Sequence, residues 1–139
     1  MKKLLKDPEF LIALILGPLV SLCFGILTSS TIKFSLSLSL KFYLIQFFLV
    51  AVPEEVAFRG ILMEILLNKF KKNWGKLSFA NLVASIAFAM CHAFYHPFWF
   101  AVLTFFPGLV FGYFREKYDS VLPSIILHFF YNVCFNTFT

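Results

Sequence analysis

The amino-acid sequence predicts an all-α fold, a polytopic transmembrane bundle of about five helices. Of the 139 residues, 60% are hydrophobic and only 14% are charged, and the apolar residues are arranged in long runs. A soluble domain of this length could not bury so much apolar surface, whereas about 20 residues of apolar helix are enough to cross a bilayer. The composition therefore indicates a multi-pass protein whose solvent is the membrane.

The apolar runs set the expected helix boundaries. They cover residues 10–29, 42–70, 77–95, 98–114 and 121–139, and we expect a basic loop at 71–76 and a basic turn at 115–117 between them. A Ser-rich connector, residues 29–39, follows the first run, and Pro53 is expected to kink the second, because proline removes a backbone donor and clashes with the preceding turn. Since no repeat or linker divides the chain, we expect one integral-membrane domain over residues 1–139. Its core covers about 42–136, and one additional transmembrane helix, 10–29, precedes it.

The basic residues predict how the chain is oriented, because cytoplasmic loops carry an excess of Lys and Arg. If the N-terminus is cytoplasmic and the chain crosses five times, nine of the twelve basic residues lie inside: Lys2, Lys3, Lys6, Lys69, Lys71, Lys72, Lys76, Arg115 and Lys117. Lys33 and Lys41 then lie outside, and Arg59 falls within a helix. We therefore predict a cytoplasmic N-terminus and an external C-terminus. The basic residues form no stripe interleaved with aromatics, so no nucleic-acid partner is expected.

A few strongly polar residues lie inside the apolar runs, where an ionisable group costs about 2.5–3.5 kcal/mol to insert and usually serves a function. They are Glu54, Glu55, Arg59, Glu64, Asn81, His92, His96, His128 and Asn132. Glu64 and Asn81 lie towards the expected cytoplasmic ends of their helices, and we interpret them as interfacial. The spacing of the others narrows their interpretation.

Glu55 and Arg59 are four residues apart, so they share one helix face and can neutralise each other. Glu54 points about 100° away around the helix and faces another part of the bundle. His128 and Asn132 also share one face, on the last helix. Counted at about 1.5 Å per residue from the nearest basic loop, Glu54 and His92 lie at a similar depth of about 22 Å, and His128 at about 10 Å.

Three patterns occur in order on successive helices: EExxxR (Glu54, Glu55, Arg59), FxxxH (Phe88, His92) and HxxxN (His128, Asn132). Together they resemble the motifs of the CAAX-protease and bacteriocin-processing family, also called the CPBP or ABI family, of glutamic-type intramembrane endopeptidases. The resemblance covers roughly residues 42–136, and Phe58-Arg59-Gly60 after the acidic pair strengthens it. It implies an integral membrane protein of a prokaryotic cell membrane.

The resemblance also implies a role for each motif residue. Glu54 and His92 would hold and activate a water molecule, while His128 and Asn132 would stabilise the oxyanion. Glu55 and Arg59 would be a supporting pair that fixes the geometry. These roles fit peptide hydrolysis, which needs a base for water, a proton donor for the leaving amine and donors for the oxyanion. The expected partners are the bilayer and a peptide or protein substrate: a leader peptide, a C-terminal sorting segment or a lipidated tail.

Two alternatives remain open at this stage. A zinc ion bound by His92, His96 and His128 with Glu54 has a suitable set of ligands, but the segment lacks the internal glutamate that HExxH zinc proteases use as base. We therefore expect no cofactor. The second alternative is a non-proteolytic membrane protein of the same fold, acting in bacteriocin self-immunity or as a transport or binding accessory. In that case Glu55–Arg59 is a structural ion pair, and His128 and Asn132 hydrogen-bond between helices.

Overall fold

The computed structural model describes residues 4–28 and 39–138. These residues form five helices, α1 (Pro8–Thr28), α2 (residues 40–69), α3 (Phe79–His92), α4 (Phe98–Tyr118) and α5 (Leu122–Phe138). A 3-10 turn, Leu4–Lys6, precedes α1, and two short strands lie between α2 and α3. The predicted all-α class is therefore confirmed. The predicted Ser-rich connector lies, except for Ser39, outside the described residues.

The number of membrane crossings stays a prediction. Among the described helices, α4 is the one that is both long and apolar enough to cross a membrane, by length and composition. The segments Pro8–Cys23 and Phe79–His92 are apolar but shorter. At 14 residues, α3 is about 21 Å long and shorter than the expected run of residues 77–95.

α2 alternates between α-helical and π-helical segments. Leu40–Ile45, Val52–Glu55 and Met63–Lys69 are α-helical, whereas Gln46–Ala51 and Val56–Leu62 are π-helical. Pro53 is the second residue after the first π segment. Because proline has no N–H to donate and its ring crowds the preceding turn, the wider π-helical turn relieves the clash. The irregularity expected at Pro53 therefore takes the form of two π segments around one α-helical turn.

A small β-hairpin joins α2 to α3. Strands β1 (Asn73–Trp74) and β2 (Leu77–Ser78) pair antiparallel, and Gly75 adopts a positive φ of 62° at the turn, as two-residue hairpin turns require. Ser78 then caps α3, because its Oγ accepts a hydrogen bond from the backbone N–H of Asn81 at 2.9 Å. The loop expected at 71–76 is thus partly ordered as a hairpin.

The predicted end of the fourth helix was wrong. We expected residues 115–117 to form a basic turn after Phe114, but α4 continues to Tyr118. Asp119 ends it in the left-handed conformation with φ 47°, which aspartate tolerates better than most residues. The N–H of Ser120 closes the end on the carbonyl of Arg115 at 3.3 Å.

The chain forms two compact units, and their boundaries fall within α2 and α5. One unit is Pro53–Ile125, in which α3 packs along α4 and the second part of α2 packs on α3. Its hydrophobic core includes the buried residues Met63, Ala80 and Ala84.

The other unit contains the residues up to Val52 and from Ile126 onward. Here the Tyr131 hydroxyl donates a hydrogen bond to the carbonyl of Ala13 at 2.7 Å, which links α5 to α1. Gly17 leaves room for the Tyr131 ring, because a Cβ there would lie 2.6 Å from a ring carbon. Phe129 packs edge to face against Phe47, with ring centroids 5.4 Å apart.

Candidate active site

The acidic pair of the first motif lies on the single α-helical turn between the two π segments of α2. Glu55 is completely buried, while the adjacent Glu54 is half-buried. Short π-helical insertions within α-helices occur frequently at functional sites. The two carboxylates therefore lie in different environments on an irregular part of the helix.

Glu55 and Arg59 form the ion pair that their spacing predicts. Arg59 Nη1 donates to Glu55 Oε1 at 2.9 Å, and neither side chain is exposed to solvent. An isolated charge in such a place would be very costly, so each side chain needs the other. The pair is present in the structure, whereas its supporting role in catalysis stays a prediction.

A backbone carbonyl and aromatic rings also lie around the Arg59 guanidinium. Arg59 Nη2 donates to the carbonyl of Gly108 in α4 at 3.0 Å. The guanidinium carbon also lies 4.4 Å from the centroid of the Phe88 ring and 5.4 Å from that of Phe111. A carboxylate, a carbonyl and two aromatic faces thus replace water around the buried cation.

Gly108 lies where a side chain would be crowded. A Cβ at residue 108 would lie 3.2 Å from Arg59 Nη2 and 3.3 Å from Ser85 Cβ. Both neighbours are buried, so neither can move away easily. Gly108 therefore allows α4 to approach Arg59 closely enough to accept its hydrogen bond.

Phe88 and His92 of the second motif continue this set of contacts. The two rings are 4.4 Å apart between centroids, so Phe88 lies in contact with both Arg59 and His92. His92 Nδ1 is 2.9 Å from the carbonyl of Phe88. A carbonyl can only accept, so Nδ1 carries the proton, and in the neutral ring Nε2 has the lone pair. His92 is half-buried at the end of α3.

His96, which the zinc alternative would need, is exposed beyond the end of α3. Its ring lies 6.0 Å from the His92 ring and 4.6 Å from that of Phe100, between centroids. Within residues 53–125, no three His, Cys, Asp or Glu side chains are grouped so that they could hold a metal ion.

A second arginine supports the same helix and was not identified from the sequence. Arg115 Nε donates to the carbonyl of Arg59 at 3.2 Å, within the second π segment. Its Nη2 pairs with Glu64 at 2.6 Å, and its Nη1 pairs with Asp119 at 3.0 Å. We had assigned Arg115 to an exposed loop, but it is nearly buried because α4 extends past it.

Asn81, which we interpreted as interfacial from its place near the end of its helix, is completely buried in α3. Its Nδ2 donates to the carbonyl of Leu109 in α4 at 3.0 Å, and its Oδ1 accepts from Ser85 at 3.1 Å. Gly112 makes space for it, since a Cβ there would overlap the Asn81 amide. Asn81 therefore joins α3 to α4 next to the position of Arg59.

The third motif lies in the other unit. His128 is 3% exposed. Asn132 is half-buried, and its Nδ2 donates to Gln46 Oε1 at 3.1 Å, at the start of the first π segment. Sequence reasoning did not select Gln46, although an uncharged polar residue within an apolar run was a visible signal.

Each of the two units therefore brings some of the motif residues into contact. Glu55, Arg59, Phe88 and His92 form a continuous series of contacts within residues 53–125, with Glu54 on the same segment of α2. Asn132 contacts Gln46 within the other unit. Buried acidic, basic and imidazole groups in an apolar helical chain are typical of membrane proteins that have a functional site among their helices.

Comparison with protein families supports this class. The model of the family described as type II CAAX prenyl endopeptidase Rce1-like matches residues 35–134. Because the match covers well over half of the chain and includes every residue of the three motifs, the chain belongs to this family of membrane-associated proteases. The family identification made from the motifs is thus confirmed. No curated protein and no solved structure matched the chain.

Proposed function

We propose that this protein is an intramembrane endopeptidase that hydrolyses a peptide bond close to the membrane. Glu54 is the base that activates water, and His92 holds that water. His128 and Asn132 donate hydrogen bonds to the oxyanion of the tetrahedral intermediate. The family match supports the peptidase activity, and the roles of individual residues are inferred from the motifs and from their chemistry.

The hydrogen bond of His92 is the observation that carries this proposal. Because Nδ1 donates to the carbonyl of Phe88, the neutral ring has its lone pair on Nε2 and can accept a hydrogen bond from water. The bond also restricts rotation of the ring, and the contact with Phe88 restricts it further. These two restraints leave Nε2 as the ring nitrogen that can hold a water molecule.

Glu54 suits the task of base because the neighbouring carboxylate neutralises the buried arginine. Arg59 Nη1 bonds to Glu55 Oε1, and Glu54 projects from a different side of the same turn. It is half-buried, whereas Glu55 is completely buried. Glu55 is therefore the carboxylate hydrogen-bonded to Arg59, and the half-buried Glu54 is the one that a water molecule can reach.

The proposed reaction balances with these groups alone. Glu54 takes a proton from water as the oxygen bonds to the carbonyl carbon of the substrate, and the oxyanion receives hydrogen bonds from His128 and Asn132. The proton then passes to the leaving amine as the C–N bond breaks. Asn132 has two amide hydrogens and donates one to Gln46, so the second is suited to an oxyanion.

The test is a cleavage assay on the purified protein reconstituted in vesicles, with mass spectrometry of the products. The substrates are a prenylated C-terminal peptide, a leader peptide and a C-terminal sorting segment. We expect the wild type to cut at least one of them, and Glu54→Gln to cut none while remaining folded. If Glu54→Gln cuts as fast as the wild type, the proposed role of Glu54 is wrong. If neither protein cuts any substrate and both protect cells from a bacteriocin, the non-proteolytic alternative is correct.

A further inference from the structure

The segment that joins α2 to α3 is unusually basic. Four lysines, Lys69, Lys71, Lys72 and Lys76, lie within residues 69–76, and all four are exposed. The chain contains no Asp or Glu between residues 65 and 115. Of the two acidic residues that flank this interval, Glu64 pairs with Arg115, and Glu116 accepts a hydrogen bond from Ser78 at 2.7 Å.

Aromatic rings lie among these lysines. Phe70 and Trp74 both pack edge to face against Phe79, with centroids 5.2 and 6.1 Å apart. The outer rings remain accessible, since Trp74 is 49% exposed and Phe70 is 38% exposed. The β-hairpin presents Trp74 outward, because the strand that carries it has both residues exposed.

The ammonium groups lie over the faces of these rings. Lys72 Nζ is 4.8 Å from the centroid of the Trp74 ring, and Lys69 Nζ is 5.6 Å from that of Phe70. Such contacts keep each cation beside an apolar surface. We call Lys69, Phe70, Lys72 and Trp74, together with the neighbouring Lys71 and Lys76, the lysine–aromatic patch.

We propose that the lysine–aromatic patch binds the headgroups of anionic phospholipids. The headgroup region of a bilayer accommodates a tryptophan or phenylalanine ring and a cation at the same depth, and juxtamembrane lysines are attracted by anionic lipids. Nucleic-acid-binding surfaces also combine lysines with exposed rings, but this patch is confined to one short segment between two apolar runs, residues 42–70 and 77–95, where a membrane protein meets the headgroups. The patch is thus an interaction surface distinct from the motif residues. Its binding of lipid headgroups does not depend on proteolytic activity.

The two tryptophans of the chain provide the experiment. In a Trp99→Phe background, Trp74 is the only tryptophan, and its fluorescence is quenched by lipids with dibrominated acyl chains. The full chain is reconstituted in phosphatidylcholine vesicles that contain the same minor fraction of either dibrominated phosphatidylglycerol or dibrominated phosphatidylcholine. We expect stronger quenching by phosphatidylglycerol, with a relative association constant several-fold above one, since a lysine near an anionic surface contributes roughly 1 kcal/mol, a factor of about five.

Three matched variants locate the effect. Neutralising Lys69, Lys71, Lys72 and Lys76 together to Gln should remove the preference, whereas changing the same four residues to Arg should retain it. The reciprocal background, Trp74→Phe, leaves Trp99 as a reporter at the start of α4, 50% exposed. It should show no preference for either lipid. High salt should weaken the preference at Trp74, because it screens exposed charges.

Several results would overturn the proposal. Equal quenching of Trp74 by the two lipids would show that the patch has no anionic preference, and no quenching by either would show that it does not contact the bilayer. A preference that survives the four Gln substitutions, or that is equally strong at Trp99, would assign the effect to the net charge of the protein. If the Gln variant does not fold, loss of preference in the single variant Lys72→Gln, with Lys41→Gln as the control, decides the question.

Discussion

At the residue scale, Glu54 and Glu55 differ in environment although they are adjacent. Glu55 is completely buried against Arg59, whereas Glu54 is half-buried. We predict that Glu54→Gln lowers cleavage by a factor of about 10² or more with little change in stability, because Gln keeps the size of the side chain but not its basic oxygen. Cleavage rate and melting temperature in detergent are measured for the same preparation.

Glu55→Gln should behave differently. It leaves Arg59 as a buried cation without its carboxylate, and breaking buried pairs of this kind costs about 3–5 kcal/mol. The melting temperature and the yield of folded protein should therefore fall together with activity. If Glu54→Gln melts early and Glu55→Gln is stable but inactive, the two glutamates have the opposite roles.

Gly108 provides a second prediction about the buried arginine. Gly108→Ala should destabilise the protein by about 1–3 kcal/mol, the usual cost of overpacking, because the new methyl group would press on Arg59 and Ser85. Gly60→Ala is the matched control. A Cβ at Gly60 meets its nearest neighbour, Val121, at an ordinary 3.6 Å, so alanine in this helix should be neutral or slightly stabilising. Equal melting temperatures of the two variants would contradict the close contact of α4 with Arg59.

The two histidines at the end of α3 distinguish glutamate chemistry from zinc chemistry. His92 is restrained by a hydrogen bond and by Phe88, while His96 is exposed. We predict that His92→Ala abolishes cleavage and that His96→Ala leaves it nearly unchanged. Cleavage by both variants is measured together with the zinc content of the wild type. Loss of activity in both, with stoichiometric zinc that chelators remove, would establish the metal alternative.

At the element scale, the sequence predicted most of the helices because apolar runs and helices coincide. Residues 40–69 and Leu122–Phe138 match the runs expected at 42–70 and 121–139. The errors occurred at helix ends, where local capping decides the outcome. Ser78 delays the start of α3, and Asp119 extends α4 by allowing a left-handed end. Hydropathy contains no information about either cap.

Arg115 shows why the error at the end of α4 affected the site. Basic residues next to an apolar run are typical of a cytoplasmic loop, so the sequence indicated an exposed arginine. In the structure the helix continues, and Arg115 turns back to bond the carbonyl of Arg59. A side-chain contact between residues 56 positions apart in sequence leaves no local pattern, and a single sequence cannot reveal it.

We predict that Arg115→Ala destabilises the protein by about 1.5–3 kcal/mol, the usual value of a hydrogen bond to a charged group. Its ion pairs should add little, because the Glu64 side chain is 48% exposed and that of Asp119 is 95% exposed. The control is Lys117→Ala, which removes an exposed charge from the same turn of α4. Chemical denaturation of both variants is the measurement, and similar unfolding curves would show that Arg115 does not hold α2 in place.

At the scale of the whole molecule, the family could be identified from the sequence because three spaced motifs occur in order. The residues that surround the motif residues could not be identified from the sequence. Gly108 and Ser85 have no charge that would mark them, and they matter only because α4 and α3 come within contact distance of Arg59. The motif residues were found by their chemistry, and their neighbours required the three-dimensional fold.

The last prediction concerns orientation in the membrane. Nine of the twelve basic residues lie on one side if the chain crosses five times, and Lys and Arg are retained in the cytoplasm. The lysines of residues 69–76 are the strongest part of this argument, because all four are exposed and no acidic residue lies in the same segment. We therefore expect a reporter that works only outside the cytoplasm to be active when it is fused after Thr139. A reporter that works only in the cytoplasm should be active when it is inserted at Gly75. Thr139 and Gly75 reporters active on the same side would mean an even number of crossings between them, and the predicted path of α3, α4 and α5 would then be wrong.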